Sequence, residues 1–198
     1  MNTRRHLLTA GAACAAATAL PAHALSGGWE TLIYGPTQTR WDRDFDAIGQ
    51  GHWRFVDSSL EVRDGQHGYL VTKKSWANFE VRAEFWADSE ANSGLFLRCQ
   101  DRAYIDEKNA CEVNIYDERP EQAYATGAIV GVSRIDRVLP AAHRWNVLHV
   151  LAQGDRVRVT LNGRVTANAR DPRFVRGPLA LQSAGGTVRF RKLHIREA

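Results

Sequence analysis

The clearest structural pattern in the chain is Arg156-Val157-Arg158-Val159-Thr160-Leu161-Asn162-Gly163-Arg164-Val165-Thr166-Ala167-Asn168-Ala169. Apolar and polar side chains alternate on both sides of Asn162-Gly163, and a period of two residues is typical of a strand with one buried face. Asn-Gly is favoured in two-residue hairpin turns, because both turn residues then adopt positive φ angles. The segment therefore predicts a β-hairpin.

Short strands are predicted along most of the remaining chain. Residues 78–85 alternate apolar and charged side chains without a break, and no long helical pattern competes with this alternation. Further strand candidates are residues 59–63, 69–72, 94–99, 111–116, 145–151, 179–182 and 188–195. Many short strands separated by Gly-containing turns are typical of an all-β sandwich or barrel.

The first 24 residues have the pattern of an export signal. Arg4-Arg5 is a twin-arginine pair, residues 7–20 are small and apolar, and Ala22-His23-Ala24 offers a cleavage site. We therefore expect export through the twin-arginine route and cleavage after Ala24, which leaves residues 25–198 in the periplasm or outside the cell. No later stretch approaches the ~18 to 20 apolar residues of a membrane span, so none is expected.

The charge balance of the chain is close to neutral. The 198 residues include 26 basic and 22 acidic ones, for a net charge of +4. Two of the arginines lie in the first 24 residues, so residues 25–198 hold 24 basic and 22 acidic residues and a net charge of +2. A chain of this length can bury about 70% of its unfolded surface in one core, and we expect a single domain. The basic residues are spread through the strand patterns without interleaved aromatics, so a nucleic-acid partner is not expected.

Two cysteines, Cys99 and Cys111, flank a polar loop in the mature chain. Export to an oxidising compartment favours a disulfide between them, and two buried thiols are the alternative. No C-x-x-C or H-E-x-x-H motif occurs, and the aspartates at 42, 44 and 46 are followed by Ala47 where a calcium loop needs glycine. We expect neither a metal nor another cofactor.

One predicted strand, Ala110-Cys111-Glu112-Val113-Asn114-Ile115-Tyr116-Asp117, carries polar groups suited to catalysis. Alternation places Glu112, Asn114 and Tyr116 on one face, and a bulge at Tyr116 would bring Asp117 to the same face. The spacing then resembles the E-x-D-x-x-E strand of laminarinase-type glycosidases, with Asn114 in place of the middle Asp and Asp117 in place of the last Glu. The alternative is an ordinary strand with a solvated polar face and an aspartate that begins a turn.

A series of short motifs follows the order found in a known family. The motifs are Trp53-Arg54-Phe55-Val56, Leu60-Glu61-Val62, Leu70-Val71-Thr72, Asn78-Phe79-Glu80-Val81, Asn92-Ser93-Gly94-Leu95-Phe96-Leu97-Arg98, Cys111-Glu112-Val113-Asn114-Ile115-Tyr116-Asp117, Thr126-Gly127-Ala128, Trp145-Asn146, Leu161-Asn162-Gly163, Gly177-Pro178-Leu179-Ala180-Leu181-Gln182 and Val188-Arg189-Phe190-Arg191. Together they resemble the 3-keto-disaccharide hydrolase domain family from about Trp29 to Arg196. The resemblance implies a concanavalin-like jelly roll of two antiparallel sheets, whose concave face and rim bind carbohydrate. It also implies cleavage of 3-keto-glycosides, as in characterised members.

The chain departs from that family's pattern at three places. Glu84-Phe85-Trp86 stands where Glu-Trp-Arg is common, Asn114 stands where a Gln is usual, and Ser183-Ala184 stands where a His often follows Leu-Gln. A changed substrate or a loss of activity is therefore an open alternative.

Glycosidic cleavage needs an acid together with a base or nucleophile, and Glu112 with Asp117 is the available pair. A 3-keto group changes this requirement, because it acidifies the hydrogen at C2 and lets one base start an elimination that water addition completes. We expect Glu112 to be this base and Arg98 to lie near the developing enolate, or else to form a salt bridge with Glu112. The expected sugar-binding residues are Asn114, Thr126, Gln182, Trp86 and Tyr116, with the alternative that the two aromatic rings belong to the core.

Two classes of function follow from these residues. The first is an exported carbohydrate-active hydrolase or lyase that acts on glycosides, with 3-keto-glycosides as its expected substrates. The second is a non-catalytic carbohydrate-binding or surface-interaction domain on the same jelly roll. A shared cleft for Glu112, Asp117 and Arg98 would favour the enzyme.

Overall fold

The computed structural model describes residues 24–25, 28–63 and 65–198. The predicted export signal, except for Ala24, lies outside these residues. The described strands are β1 (Ala24–Leu25), β2 (Trp29–Ile33), β3 (Phe45–Gly49), β4 (Arg54–Val56), β5 (Ser59–Val62), β6 (Gly68–Thr72), β7 (Phe79–Ala87), β8 (Ser93–Leu97), β9 (Cys111–Ile115), β10 (Trp145–Gln153), β11 (Arg156–Leu161), β12 (Arg164–Arg170), β13 (Ala180–Ser183) and β14 (Val188–Glu197). One 3₁₀ turn, Gln122–Tyr124, is the only helical element in this part of the chain, and no helix there has the length and apolar character of a membrane span.

The strands form two antiparallel sheets. The larger sheet has the order β1-β2-β14-β7-β10-β11-β12, with β5 also paired to β14 and β4 paired to β5. The smaller sheet has the order β3-β6-β13-β8-β9. Strands far apart in sequence are neighbours, as β2 and β14 are, and this is the topology of a sandwich and not of a simple meander. The expected all-β, concanavalin-like jelly roll is confirmed.

The core lies between the two sheets and follows the predicted alternation. In β7 the side chains of Phe79, Val81, Ala83 and Phe85 are almost fully buried, while the residues between them are at least partly exposed. The smaller sheet meets them with inward side chains such as Leu95. Burying each large apolar side chain stabilises the fold by roughly 1.5 to 3 kcal/mol, so the match between pattern and sheet face sets the strand register.

The predicted hairpin is confirmed at β11 and β12. The two strands pair up to Leu161 and Arg164, and the turn residues Asn162 and Gly163 have φ angles of 50° and 83°. Asn and Gly tolerate these left-handed angles better than other residues, which is why the turn occurs at this point.

The expected disulfide is not formed, because Cys99 and Cys111 lie on opposite sides of the smaller sheet. Cys111 points into the main core, whereas Cys99 belongs to a second apolar cluster on the outer face of that sheet. Burial raises the pKa of both thiols to about 12, so both are protonated at neutral pH. The alternative of two buried thiols describes this structure.

The second apolar cluster shows that the outer face of the smaller sheet is covered. Ile105, from the loop between β8 and β9, packs against Tyr69, Val71 and Phe96 of that face. The hydroxyl of Tyr69 also donates a hydrogen bond to the carbonyl oxygen of Ile105, at 2.8 Å. Polar groups on this face are thereby removed from bulk water, which changes their acid–base behaviour.

Candidate functional site

Strand pairing brings Glu112, Asn114, Gln182 and Tyr69 to the outer face of the smaller sheet. Glu112 lies opposite Phe96, Asn114 opposite Gly94, and Gln182 opposite Tyr69. Directly paired residues and residues two apart share a face, so the four polar side chains lie on one surface. We call this surface the Glu112 face.

The carboxyl group of Glu112 is buried without a partner. The residue is 5% exposed, and its side chain makes no hydrogen bond or ion pair with any residue that the structure describes. Burial raises its pKa from the usual 4.5 to about 7, while the positive charge of Arg119 opposes the rise and the carboxylates of Glu107 and Asp106 add to it. A carboxyl group with a pKa near 7 can both accept and return a proton at neutral pH.

Local packing explains why Glu112 is so poorly solvated. A Cβ atom at Gly94 would lie 3.5 Å from Cγ of Glu112 and 3.4 Å from the ring of Phe96, and it would crowd the carbonyl of Val113 at 3.1 Å. Gly94 therefore allows the carbon stem of Glu112 and the aromatic ring to lie close over the strand. This apolar neighbourhood replaces the water that would otherwise lower the pKa.

Two buried amide oxygens on the same face also have no hydrogen-bond donor. Nδ2 of Asn114 donates to the carbonyl of Tyr124 at 2.6 Å, and Nε2 of Gln182 donates to the Tyr69 hydroxyl oxygen at 3.4 Å. Oδ1 of Asn114 and Oε1 of Gln182 remain without partners. Together with Glu112, these atoms offer a ligand three acceptors in a buried setting, where unsatisfied acceptors are costly. Hydroxyl groups of a sugar are donors that fit them.

The structure does not bring the carboxylate of Asp117 to Glu112. β9 ends at Ile115, and its pairing with β8 has no bulge that would turn Asp117 onto the Glu112 face. Oδ1 of Asp117 accepts from the hydroxyl of Thr126 at 2.5 Å, and Oδ2 accepts from the backbone N–H groups of Ala141 and Ala142 at 2.6 and 2.9 Å. Asp117 therefore fixes two loops to each other.

Thr126 belongs to the same loop junction. Its hydroxyl oxygen accepts the N–H of Tyr116 at 2.9 Å and its hydrogen goes to Asp117. Since Thr126 is also 2% exposed, its hydroxyl is not presented to a sugar. Tyr116 follows β9 directly and is half-buried. Its role in stacking on a sugar stays a prediction.

Arg98 is a structural residue at the other end of β8. It is 2% exposed, and its guanidinium group donates to the backbone carbonyls of Ala77, Gly154 and Phe174. Neither the expected position near an enolate nor the alternative salt bridge with Glu112 is found. Since all its described bonds go to carbonyls of three separate loops, Arg98 holds those loops together.

Trp86 lies on the opposite side of the sandwich from Glu112. It alternates in β7 with the core residues Phe85 and Ala87, so its ring is on the outer face of the larger sheet. There the guanidinium of Arg189 lies 5.0 Å from the ring centroid, and the ring of His143 packs against it edge-on at 5.9 Å. Trp86 and Glu112 cannot contact one sugar ring.

Two residues that affect the Glu112 face, one of them in a neighbouring loop, were not identified from the sequence. Arg119 lies in the loop after β9, is half-buried, and has no ion-pair partner among the described residues. Nε2 of Gln122 donates to the carbonyls of both Asp117 and Arg119, at 2.9 and 2.7 Å, which orders this loop. Tyr69, the second residue, has its pKa raised to about 12 by burial and therefore stays a neutral hydroxyl. A loop arginine and a strand tyrosine carry no motif that would single them out.

The described part of the chain contains no group of three or more His, Cys, Asp or Glu side chains that could hold a metal ion.

Comparison with solved structures shows the fold in proteins of low sequence identity. A protein named "putative glycosyl hydrolase" from Parabacteroides distasonis ATCC 8503 is 22% identical, with a TM-score of 0.68 over 86% of this chain and 99% of the other. The carbohydrate binding module CBM66 from Bacillus subtilis is 16% identical, with a TM-score of 0.58 over 86% and 96%. The exoplasmic domain of VIP36 in a Ca²⁺- and mannose-bound form is 11% identical, with a TM-score of 0.57 over 78% and 83%. At these identities the likeness concerns the fold alone.

Comparison with curated proteins finds no match. A family model described as the 3-keto-alpha-glucoside-1,2-lyase-like domain matches residues 28–196, which include every strand from β2 to β13 and all but the last residue of β14. The chain belongs to the 3-keto-alpha-glucoside-1,2-lyase-like domain family.

Proposed function

We propose that this protein is a carbohydrate-active enzyme that cleaves 3-keto-glycosides on the Glu112 face. The observation that carries the proposal is the buried, unpaired carboxyl group of Glu112 with a pKa of about 7. A carboxyl group that is buried without a partner destabilises a folded protein. Its presence beside two buried amide oxygens that also have no partner therefore favours a functional role. Membership of a family named for a 3-keto-glucoside lyase supports the choice of substrate.

The first step uses Glu112 as a base. A keto group at C3 acidifies the hydrogen at C2, and the Glu112 carboxylate removes it as a proton. The electron pair of the C–H bond forms a C2=C3 double bond, and the π pair of the carbonyl group moves to its oxygen to give the enolate. The enolate then reforms the ketone, the C1–O bond breaks with its electrons on the departing oxygen, and a C1=C2 double bond results. Protonated Glu112 can return its proton to the departing oxygen, because a pKa near 7 suits both directions. Addition of water across the double bond completes net hydrolysis.

Arg119 is assigned the electrostatic role that the sequence suggested for Arg98. Its positive charge already favours the ionised form of Glu112, so it can also stabilise negative charge that passes from Glu112 to the enolate oxygen. The oxygens of Asn114 and Gln182 accept hydrogen bonds from sugar hydroxyls and orient the ring. Asp117 supports the reaction only by fixing the loop that carries Arg119.

The experiment is a comparison of matched substrates. The purified protein is incubated with a panel of 3-keto-glycosides and with the parent glycosides, each with and without a chelator, and products are identified by mass spectrometry. We expect release of the aglycone or second sugar from the 3-keto compounds alone, since the parent glycosides have no acidified C2–H. Cleavage of parent glycosides at an equal rate would contradict the elimination.

A non-catalytic carbohydrate-binding domain is the second candidate. It is favoured by Ser183-Ala184 in place of the family's usual histidine and by structural likeness to CBM66 and to mannose-bound VIP36. Binding of 3-keto-glycosides or ordinary glycosides without turnover of any of them would support this candidate against the enzyme.

Export through the twin-arginine route completes the proposal, and it rests on Arg4-Arg5 and Ala22-His23-Ala24. N-terminal sequencing of the protein from a periplasmic fraction is expected to begin at Leu25. Replacement of both arginines by lysine is expected to leave precursor in the cytoplasm, and an N-terminus at Met1 in the periplasm would contradict the proposal.

A further inference from the structure

The two outer faces of the sandwich differ strongly in charge. The strands of the larger sheet hold ten basic and five acidic residues, a net charge of +5, whereas those of the smaller sheet hold no basic residue and two acidic ones. The basic residues are Arg54, Arg82, Arg156, Arg158, Arg164, Arg170, Arg189, Arg191, Lys192 and Arg196. The near-neutral total therefore conceals a basic surface on the side opposite Glu112.

Carboxylates pair with only part of this surface: Glu84 contacts Arg191 and Lys192, Glu80 contacts Arg196, and Asp155 contacts Arg170. The single, fully buried carboxylate of Glu61 lies within 3.5 Å of guanidinium nitrogens of Arg54, Arg63 and Arg189. Other arginines on the sheet have no hydrogen-bond or ion-pair partner in the described part of the chain; these are Arg82, Arg158 and Arg164. Cations without a carboxylate neighbour on a structured surface are available to an anionic partner.

A depression of about 260 Å³ lies within the basic surface. It is lined by Leu151, Gln153, Arg156, Arg158 and Asn168, which supply two guanidinium groups, two amides and no carboxylate. Nε of Arg156 donates to Oδ1 of Asn168 at 2.9 Å, which orients the guanidinium while its terminal nitrogens stay available. The lining therefore offers donors for an anion and amides for hydroxyl groups.

Tryptophans and further arginines lie at the opposite end of this face from the depression, because Trp145 begins β10 and Gln153 ends it. Trp145 and Trp86 lie opposite each other in β10 and β7, and Arg189 is paired with Trp86 in β14. The guanidinium of Arg191 lies 4.2 Å from the centroid of the Trp145 ring. The basic residues that are scattered in the sequence are thus brought beside tryptophans by strand pairing, and the planar groups form a rigid surface.

We propose that the outer face of the larger sheet binds an anionic polysaccharide, whose carboxylate or sulfate groups lie against Arg156 and Arg158. The planar guanidinium forms bidentate hydrogen bonds to such groups, and the amides of the depression suit the neighbouring hydroxyls. Since this surface is opposite the Glu112 face, one chain can hold a polysaccharide there while its other face is free.

Matched polymers test the proposal on the full chain. Affinity for dextran sulfate, polygalacturonate and uncharged dextran is measured by isothermal titration calorimetry at several salt concentrations. We expect binding to the two anionic polymers and not to dextran, with affinity falling as salt screens the charges, over a Debye length of about 10 Å at 0.1 M. Absence of binding to both anionic polymers at low salt would overturn the proposal.

Matched variants locate the surface. The double variant Arg156→Ser, Arg158→Ser is expected to weaken binding by about tenfold or more, the loss of two charge-assisted contacts. Its control, Lys108→Ser with Arg137→Ser, removes two exposed charges elsewhere and should leave affinity nearly unchanged. Equal loss in both double variants would overturn the assignment, and so would tighter binding of duplex DNA than of polygalacturonate. Glu112→Gln should retain polysaccharide affinity, which separates this proposal from the proposed catalysis.

Discussion

Nε2 of Gln182 lies 3.4 Å from the hydroxyl oxygen of Tyr69, and this contact fixes which end of the amide is left for a ligand. Tyr69 gives its only hydrogen to the carbonyl of Ile105, so its oxygen can only accept from Gln182. Oε1 of Gln182 is consequently left as a buried acceptor without a partner. The carbonyl of Ile105, in the covering loop, thereby leaves the Gln182 amide with a free acceptor and not a free donor on the Glu112 face.

Tyr69→Phe should weaken substrate binding with little effect on the chemical step. Without the phenol oxygen, the Gln182 amide has no partner that distinguishes its two ends and can rotate. We expect KM to rise by about three- to tenfold while kcat changes little, the pattern of a lost binding interaction. Tyr104→Phe, on the exposed side of the same covering loop, is the control, and an equal KM in both variants would contradict the role of the Tyr69 hydroxyl.

Glu112→Gln should make the protein more stable at high pH. The pKa of Glu112 is about 7 in the folded chain against the usual 4.5, so the folded chain binds more protons between these values. The stabilisation from this group is fully present below about pH 4.5 and is lost as pH rises through 7. The free energy of unfolding of the variant, relative to that of the wild type, should therefore be higher at pH 8 than at pH 4.5. The expected difference is up to about 3 kcal/mol.

Urea denaturation at the two pH values measures this difference. Glu90→Gln is the control, because Glu90 is exposed in the loop between β7 and β8 and is not among the charges that act on Glu112. If the free energy of unfolding depended on pH in the same way in Glu112→Gln and in the wild type, the pKa of Glu112 would not be raised in the folded protein.

Strand positions and the sandwich could be predicted because burial alternates along each strand. In residues 78–85 every second side chain enters the core, and the pattern therefore reports the face directly. The same reasoning correctly places Glu112 and Asn114 together on one face of β9. Alternation does not show which sheet a strand joins. The sequence therefore predicts one site that contains both Trp86 and Glu112, although the two residues lie on opposite sheets.

Asp117→Asn should lower stability more than it changes the acid–base behaviour of the reaction. The carboxylate accepts three hydrogen bonds, and an amide at this position would direct its own N–H group at donors from Thr126 or Ala141. We expect a loss of about 1 to 3 kcal/mol, the cost of unsatisfied buried donors, and reduced turnover through loosening of the Arg119 loop. The pH–rate profile should keep its inflection. Loss of one limb of that profile in the variant would instead identify Asp117 as a second acid or base.

On the proposed mechanism, Arg119→Ala should raise the pH at which cleavage of 3-keto-glycosides begins. The arginine favours ionised Glu112, so its removal should shift the inflection of the pH–rate profile upward. Loss of enolate stabilisation should also reduce kcat by roughly 10²-fold, and Arg119→Lys should restore part of both effects. Arg137→Ala removes a charge from a more distant loop and serves as control. If the inflection did not move in Arg119→Ala, the charge of Arg119 would have no effect on the pKa of Glu112.

Loop conformation is the part of the site that the sequence could not supply. Arg98 and Asp117 are the charged last residues of two of the motifs, and their side chains form hydrogen bonds with backbone groups of distant loops. The charge of Arg119 acts on Glu112 from the loop after β9, which Gln122 orders through the carbonyls of Asp117 and Arg119. These contacts join residues far apart in sequence, and no local pattern records them.

Exchange of the C2 proton of a 3-keto-glycoside in deuterated water tests the central claim most directly. NMR follows deuterium entering C2 of remaining substrate or of product, and the control variant Glu90→Gln is run beside Glu112→Gln. We expect fast exchange with the wild type and the control, at a rate that increases as pH rises through about 7, and a decrease of roughly 10²- to 10⁴-fold in Glu112→Gln while folding is retained. Exchange by Glu112→Gln at the wild-type rate would show that another group removes the proton.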